Sequence, residues 1–367
     1  MKILILTSSG EPLNSIRPEA EMYIGLQQRG HQVTIMTGRG NVYWERFALA
    51  GLGLILFEPA RRVDPAAVRF LRRTLKSGGY DVIYALNNNA ICTAAFAVLG
   101  LPAALVTYRG QTGNISKWDP SVYLTHLHPR VDGISCVAEA VRQDLLAQGR
   151  NPSRVATIYK GHDLAWYNDP PLSREVLGVP EEAFLIGCVA NNRPRKGLPV
   201  LVEAFHGLPE AGRTPHLLLA GKGLDAPELQ QAIQAGPGAA RIHCLGFRED
   251  APSLTAACDC TVLPALKREG LPKTVIESMA YSVPPVVTDT GGNAELVEEG
   301  VSGFVVPPGS ADALQERLAW LQAHPREAEE MGRNARRRLA EHFDLQQSIL
   351  QTEAFFQASA AERTSGR

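Results

Sequence analysis

Short apolar runs alternate with amphipathic segments along almost the whole chain. The first run, KILILT, predicts a buried strand, EAEMYIGLQQRG predicts a helix that ends at Gly30, and HQVTIMT predicts the next strand. A strand, a helix and a strand with short connections form the βαβ unit of a parallel sheet. The alternation continues through further predicted strands in LGLILFE, DVIYAL, AALVTY, VDGISC and VATIYK. The first half of the chain is therefore predicted to be an α/β domain.

A second series of the same kind follows residues 164–180, where prolines and weak periodicity predict a linker. Its predicted strands lie in FLIGCVA, HLLLAG, IHCLGF, CTVLP, PPVVT and GFVVPP. We predict two doubly wound, Rossmann-like α/β domains over residues 1–163 and 181–343. A C-terminal helix over residues 344–367 is expected to pack back on the first domain and to end in a frayed tail. Two such domains would face a cleft at the carboxyl ends of their strands, where ligands of this fold class bind.

The composition is that of a globular enzyme rather than a disordered chain, since 45% of the residues are hydrophobic and 20% are charged. The six cysteines are scattered and form no CxxC pair, and the start MKILILTSSG lacks the long apolar core of a signal peptide. These features predict a cytoplasmic protein with reduced thiols.

Residues 82–108 carry no charge, so a membrane-spanning helix has to be considered. The asparagines at 87–89 and the segment Gly100-Leu101-Pro102 divide this stretch into three short apolar pieces. Pieces of that length are typical of a strand, a helix and a strand in a buried α/β unit. We therefore predict no membrane span here.

Charge is distributed unevenly, with a net charge of +5 in residues 1–170 and −6 in the remainder. Part of the excess lies on one face of a predicted helix, at the positions Arg69, Arg72, Arg73 and Lys76. One interpretation is a solvated outer face, and the other is contact with an anionic membrane surface. A nucleic-acid partner is not predicted, because no aromatic residues interleave with these charges.

Patterns for metal or dinucleotide chemistry are incomplete. Cys258 and Cys260 lie two apart on a strand-like segment and would point to opposite faces, so buried thiols are predicted there. Gly221 and Gly223 follow a predicted strand, but the third glycine of the dinucleotide fingerprint is missing. Neither pattern predicts a metal or a nicotinamide cofactor.

Two segments carry the chemistry of the second half. In NNRPRKGLPVLVEAF, Arg193, Arg195 and Lys196 directly precede a predicted helix, and cations beside a helix N-terminus attract a diphosphate, although a solvated loop has the same pattern. In EGLPKTVIESMAYSVPPVVTDTGGNAELV, Glu269 precedes a helix and Glu277 lies inside it, eight residues later. A GG-x-x-E segment follows.

These segments, together with GVSGFVVPPGSADALQERL and, more loosely, RGHQVTIMT and IYKGHD, resemble the retaining nucleotide-sugar glycosyltransferases of family 4, which have the two-domain GT-B fold. The resemblance covers most of the second domain and the first in outline. It implies that a sugar is moved from a nucleotide diphosphate to an acceptor hydroxyl with retention, without a metal or another cofactor. Cell-surface polysaccharide, lipopolysaccharide or glycolipid synthesis is the implied setting.

The resemblance also implies roles for individual residues. Glu269 would contact hydroxyls of the donor sugar, and Glu277 would hold the ribose hydroxyls, since a carboxylate accepts two vicinal hydroxyl hydrogen bonds well. The loop that follows Glu269, Gly270-Leu271-Pro272-Lys273-Thr274, would offer backbone N–H groups to the sugar and the diphosphate at the helix N-terminus.

The diphosphate site departs from the family pattern. Lys196 matches it, but Ala190 and Asn191 stand where the family usually has Gly-Arg. The diphosphate arginine must therefore come from elsewhere, and we predict Arg193 rather than Arg195. Neutralisation of the leaving diphosphate is then assigned to Arg193 and Lys196, with Glu269 on the sugar.

The first domain departs further. The family often has a histidine where Arg109 follows the strand LVTY, and the usual glycine pair of the first loop is reduced to Ser9-Gly10. Ser9, Gly10 and Arg109 are the candidates for acceptor or sugar contacts. The asparagines at 87–89 are candidates for the same face of the domain or simple turn formers.

Three alternatives stay open. A GT-B-like nucleotide-sugar epimerase would convert the donor without an acceptor, an NAD-dependent oxidoreductase would change nicotinamide absorbance, and a scaffold that only binds membranes or partners would not bind nucleotides. If the basic helix contacts a membrane, a lipid-linked or lipopolysaccharide-type acceptor is expected, with the protein peripheral on the inner face of the membrane.

Overall fold

The chain forms two compact units. The computed structural model describes residues 1–10, 12–210 and 212–365. The first unit consists of Met1–Gly161 with Phe343–Arg367, and the second of His162–His342. Each unit is a parallel-sheet, Rossmann-like α/β domain, so the predicted fold class is confirmed. Gly366 and Arg367, which end the predicted frayed tail, lie outside the described residues.

The first unit is built on seven parallel strands. They are β1 (Lys2–Leu6), β2 (Gln32–Thr37), β3 (Gly53–Leu56), β4 (Val82–Ala85), β5 (Ala104–Arg109), β6 (Gly133–Cys136) and β7 (Val155–Thr157). The connecting helices are α1 (Leu13–Gln28), α2 (Trp44–Leu49), α3 (Pro65–Gly78), α4 (Asn88–Ala97) and α5 (Glu139–Ala147). The strand order is β3-β2-β1-β4-β5-β6-β7. The order reverses direction between β1 and β4, which is the topological switch point of the sheet.

The uncharged stretch forms β4, α4 and β5, as its division by asparagine and glycine-proline residues predicted. Most of α4 is buried, because its apolar side chains are covered on both sides of the helix. Across residues 1–10, 12–210 and 212–365, no helix combines the length and apolarity needed to cross a membrane.

The second unit is built on six parallel strands in the order β10-β9-β8-β11-β12-β13. They are β8 (Phe184–Val189), β9 (Pro215–Ala220), β10 (Ile242–Cys244), β11 (Cys260–Leu263), β12 (Pro285–Thr288) and β13 (Phe304–Val306). The helices are α6 (Arg174–Leu177), α7 (Leu198–His206), α8 (Pro227–Gln234), α9 (Ala251–Ala256), α10 (Lys273–Ala280), α11 (Asn293–Leu296), α12 (Ala311–Ala323) and α13 (Pro325–His342). Cys258 and Cys260 are buried in two different core clusters, so the prediction of buried thiols pointing to opposite faces is confirmed.

Residues 164–180, predicted to be a linker, lie within the second unit and pack on it. Leu177 and Val179 are buried against Leu218 and Leu254, and the Leu172 amide donates to the Ser253 carbonyl at 3.1 Å. Prolines and polar residues interrupt the apolar residues of this segment, so they follow no clear helix or strand period, yet Leu177 and Val179 each fill a place in the core. The sequence pattern therefore missed their packing.

The last helix, α14 (Leu345–Ser365), packs on α1 in the first unit. Ile349 and Phe356 are buried in the core of that unit, and a Cβ atom at Gly25 would collide with the Ile349 side chain. Glu353 accepts hydrogen bonds from Arg29 and pairs with His31 beside the same helix. Apolar packing and these polar contacts of Glu353 both hold α14 to the first unit.

A buried histidine gives the first unit a pH-dependent stability. His126 is 4% exposed and hydrogen-bonds with Thr107 at 3.1 Å. Burial, reinforced by Arg109 and Arg150, lowers the pKa of His126 to about 3. Between the ordinary histidine pKa and this lowered pKa, the unfolded chain therefore binds a proton that the folded chain does not. The free energy of unfolding accordingly decreases as the pH is lowered.

From this shift we expect the free energy of unfolding to be about 2 kcal/mol lower at pH 5 than at pH 7.5 on account of His126 alone. Urea unfolding at the two pH values measures the difference. In the variant His126→Gln, the pH-induced loss should shrink by about the same amount. An unchanged loss in the variant would show that His126 is protonated in the folded state.

Candidate functional site

Glu269 is the centre of an ion-pair cluster in the second unit. It lies in the loop that joins β11 to α10, and it is only 6% exposed. Its Oε1 atom is 2.8 Å from Lys196 Nζ and 3.0 Å from Arg195 Nη1. Because both cations contact the same oxygen atom, they are held side by side at the carboxyl edge of the sheet.

The basic loop after β8 is fixed against the loop after β11. The Leu266 amide donates to the Arg195 carbonyl at 2.7 Å, and Gly197 has a φ of +67°. A Cβ atom at Gly197 would collide with the Pro264 carbonyl oxygen. Glycine is therefore required here both for the left-handed backbone and for the close approach that brings Lys196 to Glu269.

The structure brings Arg195, and not Arg193, to Glu269. Arg193 is exposed, and its side chain makes no ion pair with any residue that the structure describes. The two arginines are separated only by Pro194, which starts the 3-10 turn Pro194–Lys196. The turn directs the Arg195 side chain to the cluster, a distinction that the sequence pattern did not reveal.

Glu277 forms the second ion pair of the site. It is 4% exposed on α10, and its Oε1 atom is 2.9 Å from Lys273 Nζ, one turn earlier in the helix. No side chain caps the start of α10, where Pro272 is the N-cap residue. The first-turn N–H groups of Lys273 and Thr274 therefore remain available to an anion at the positive end of the helix.

The segment between the two glutamates is held by the glycine pair of the GG-x-x-E motif. Gly291 has a φ of +56°, and a Cβ atom there would collide with the Glu269 carbonyl oxygen. The Gly292 amide donates to the Gly270 carbonyl at 2.9 Å. Gly270, Leu271 and Pro272 are buried beneath this turn. The glycine pair thus fixes the backbone that carries Glu269 into the cluster.

Where the chain departs from the family pattern, at residues 190–191, its side chains and those next to them hold the loop after β8 against the loop after β9. The Asn191 Oδ1 atom accepts a hydrogen bond from the Lys222 amide at 2.9 Å, and the Asn192 side chain donates to the Gly223 carbonyl at 3.0 Å. Gly221 lets the two loops meet, since a Cβ atom there would collide with the Ala190 carbonyl oxygen. The Gly221-x-Gly223 pair therefore serves loop packing after β8 and β9.

An open cavity of about 580 Å³ lies beside these loops. Lys222, Asp225, Gln230 and Phe247 are among the residues that line it. The Phe247 ring is 59% exposed, and Lys222 Nζ lies 5.0 Å from the ring centroid. An exposed aromatic face with polar groups around it can stack on a flat heteroaromatic ring.

The candidates of the first unit lie at the carboxyl edge of its own sheet. Ser9, after β1, donates to Glu58 Oε2 at 2.6 Å, and Gly10 beside it is exposed. Arg109 ends β5, is largely buried, and donates to the Gly113 carbonyl. Burial lowers the pKa of Arg109, and the nearby Asp144 opposes that shift. Arg109 thus has a structural contact that stabilises the loop after β5.

Both units match known family models. Residues 170–338 match the model described as "Glycosyl transferases group 1", and residues 20–166 match the model described as "Glycosyltransferase Family 4". The first match contains Lys196, Glu269 and Glu277 of the two ion-pair clusters. The second begins within α1, covers β2 to β7 of the first unit and ends at residue 166, so it does not include α14.

Curated relatives match part of their own length. The chain is 32% identical over 209 residues to D-rhamnosyltransferase WbpZ of Pseudomonas aeruginosa, covering 54% of this chain and 52% of the relative. It is 27% identical over 264 residues to phosphatidyl-myo-inositol mannosyltransferase of Mycolicibacterium smegmatis, covering 70% and 66%. The chain thus spans about half to two thirds of the length of these relatives.

Among solved structures, Anabaena Alr3699/HepE in complex with UDP superposes with a TM-score of 0.82. The sequence identity is 23%, and the match covers 98% of this chain and 100% of the other. At that identity the likeness shows the fold alone, which consists of two Rossmann-like α/β domains of the GT-B class.

Proposed function

We propose that the chain is a GT-B glycosyltransferase, because each of its two units is matched by a glycosyltransferase family model, and we propose the following reaction for it. It transfers a sugar from a nucleotide diphosphate donor to an acceptor hydroxyl, with retention at the anomeric carbon. The relatives named as a rhamnosyltransferase and a phosphatidyl-myo-inositol mannosyltransferase support a saccharide or lipid-linked acceptor.

The cation cluster around Glu269 is the observation that carries this proposal. Lys196 and Arg195 share one carboxylate oxygen, and Lys273 stands at the uncapped start of α10. When the anomeric C–O bond breaks, its electron pair and negative charge pass to the leaving diphosphate. Fixed cations and backbone N–H groups stabilise charge that develops in this way, and each donor contributes about 3 kcal/mol.

Retention requires the acceptor oxygen to bond to the anomeric carbon on the face that the diphosphate leaves. The proton of the acceptor hydroxyl then passes to an oxygen of the departing diphosphate, so no protein group has to remove it. In this scheme neither Glu269 nor Glu277 exchanges a proton. Both act as hydrogen-bond acceptors, which agrees with their placement in ion pairs.

Glu269 exchanges its two cationic partners for sugar hydroxyls when the donor binds. Without donor, its carboxylate neutralises Lys196 and Arg195. When the donor binds, sugar hydroxyls donate to Glu269 and the two cations turn to the diphosphate. The exchange keeps the buried carboxylate hydrogen-bonded throughout, which avoids the cost of an unpaired buried charge.

The same arrangement provides places for the nucleoside. Glu277 accepts hydrogen bonds from the ribose hydroxyls, and the open cavity beside Phe247 takes the base by stacking. Arg193 stays a prediction for diphosphate binding, and Arg195 joins it because of its contact with Glu269.

The proposal is tested by incubating the full chain with UDP-, GDP- and ADP-sugars and a panel of saccharide acceptors. Release of the nucleotide diphosphate and a new glycoside with the anomeric configuration of the donor are expected. Product from donor alone would instead identify a nucleotide-sugar epimerase. Transfer should persist in excess EDTA, since Lys196, Arg195 and Lys273 supply the positive charge; loss of transfer would overturn that part.

The basic face of α3 supports a further part of the proposal, which is contact with an anionic membrane on the cytoplasmic side. Arg69, Arg73 and Lys76 are exposed. Arg72 differs, because its Nη1 atom donates to the Ala97 and Leu99 carbonyls at 2.9 and 2.6 Å. Arg72 therefore stabilises the C-terminal end of α4, and only the other three cations are free for lipid phosphates.

Reversal of those three charges is expected to weaken binding to vesicles that contain phosphatidylglycerol by roughly 100-fold, at about 1 kcal/mol per cation. Vesicle co-sedimentation of Arg69→Glu/Arg73→Glu/Lys76→Glu measures the change. The matched control reverses Arg326, Arg333 and Arg337, which are exposed on α13. Equal binding of the α3 variant and the wild type would refute membrane contact through α3.

A further inference from the structure

The first unit carries a polar cluster that the proposed donor site does not use. Four loops contribute to it, each following one of the strands β1 to β4. Ser8 and Ser9 follow β1, Asn41 follows β2, Glu58 follows β3 and Asn87 follows β4. We name these five residues the edge cluster. Parallel strands bring their carboxyl ends to one edge, which is why residues far apart in sequence meet there.

Hydrogen bonds join the members of the edge cluster. Ser9 donates to Glu58 Oε2 at 2.6 Å, and the Asn87 side chain donates to Ser8 Oγ at 2.9 Å. The Asn41 side chain donates to the Ser8 carbonyl at 3.3 Å. Asn87 also caps α4, since its Oδ1 atom accepts from the Ala90 amide. The network holds the side chains in defined positions, so a ligand would not have to order them.

The location matters because β1 and β4 flank the switch point of the sheet. The chain proceeds from β1 outward to β2 and β3, and then returns to β4 on the other side of β1. Ligands of doubly wound sheets usually bind at this point of the sheet. Ser8 and Ser9 lie on the β1 side of the switch point and Asn87 on the β4 side, and the Asn87 side chain links the two loops through Ser8.

Glu58 is the charged member of the cluster and has an unusual environment. Room for its carboxylate exists because of Gly38, where a Cβ atom would collide with Glu58 Oε2 and lie 2.7 Å from Ser9 Oγ. Glu58 is half-buried, and no lysine, arginine or histidine among the described residues forms an ion pair with it. A carboxylate without a cation offers its remaining lone pairs to hydroxyl donors.

We propose that the edge cluster binds a neutral saccharide through its hydroxyl groups, with Glu58 accepting hydrogen bonds from two vicinal hydroxyls. This inference rests on the proposed function, for which it names the acceptor class. Asn87, Ser8 and Ser9 supply further donors and acceptors around the sugar. A uronate or another anionic sugar is repelled by the Glu58 charge, so the cluster selects uncharged acceptors.

Saturation-transfer NMR on the full chain without donor tests this directly. The probes are the methyl α-glycosides of glucose, galactose and mannose, and methyl α-D-glucuronoside. At least one neutral glycoside should bind, and the glucuronoside at least tenfold more weakly. Glu58→Gln should weaken binding of the neutral glycoside at least tenfold, because charge-assisted hydrogen bonds are lost. The matched control is Glu45→Gln, an exposed acid at the start of α2.

Three results would overturn the proposal: no neutral glycoside binds, Glu58→Gln and Glu45→Gln bind equally, or the glucuronoside binds as well as the neutral sugars. Thermal unfolding of Glu58→Gln at the wild-type temperature establishes that the variant is folded. Stabilisation by UDP, GDP or ADP reports the second unit separately and should be unchanged. Failure of the donor reaction with intact sugar binding would thus count against the proposed function and not against the edge cluster.

Discussion

Lys196→Ala is expected to lower kcat for sugar transfer by roughly 100- to 1,000-fold, the usual loss when one preorganised group opposite a developing negative charge is removed. The Lys196 ammonium lies 2.8 Å from Glu269 Oε1, in a loop that Gly197 fixes against Pro264. The loop that carries Lys196 is therefore held in place before the donor arrives, and only the end of the side chain has to turn from Glu269 to the diphosphate. Steady-state rates at saturating donor measure the loss, because they isolate the chemical step from binding.

Lys267→Ala is the matched control for this variant. Lys267 is exposed two residues before Glu269 and forms no ion pair within the part of the chain that the structure describes. It should keep the wild-type rate. Equal rates of Lys196→Ala and the wild type would refute the assignment of Lys196. The same assay compares the two arginines. Arg195→Ala should lower kcat more than Arg193→Ala, since Arg195 shares the Glu269 carboxylate with Lys196 and Arg193 does not.

Glu277→Ala is expected to lower kcat/KM for the donor by at least 100-fold. Two hydrogen bonds from ribose hydroxyls to a buried carboxylate are lost, at about 1.5–3 kcal/mol each. Lys273 also loses its partner and becomes an uncompensated cation at the helix start. Initial rates at donor concentrations below KM measure the effect, and thermal unfolding verifies that the variant is folded.

A donor that lacks one ribose hydroxyl distinguishes ribose binding by Glu277 from a general loss of donor binding in the variant. The wild type should discriminate strongly between the ribose donor and its 2′-deoxy and 3′-deoxy forms, and Glu277→Ala should not, because the partner of the missing hydroxyl is already absent. Undiminished discrimination against both deoxy donors by the variant would show that the ribose is held elsewhere.

The sequence pattern was a good guide to the elements because apolar periodicity reports directly on which residues are buried. It predicted β4, α4 and β5 within an uncharged stretch that could have suggested a membrane span. It failed at residues 164–180, where Leu177 and Val179 pack into the core although the segment has no clear helix or strand period. Burial without periodicity leaves little signal in a single sequence.

In the candidate site, too, some features could be predicted from the sequence and others could not. The order of Glu269, the glycine pair and the helix between them could be recognised in the sequence, because a motif fixes residue types along one continuous segment. The partner of Glu269 could not, since Arg195 is 74 positions away and competes with Arg193 only two positions from it. The local turn at Pro194 brings Arg195, and not Arg193, into contact with Glu269.

What the sequence by itself determined is therefore local: two series of strands and helices, and the segment with Glu269 and Glu277. The tertiary structure decided which long-range partners meet. It placed Arg195 and Lys196 beside Glu269, made Arg72 a support for α4 rather than a free surface cation, and joined Ser9 to Glu58 across the sheet edge. Periodicity encodes which face of an element is buried, whereas the pairing of side chains across loops depends on distances that exist only after the sheets have formed.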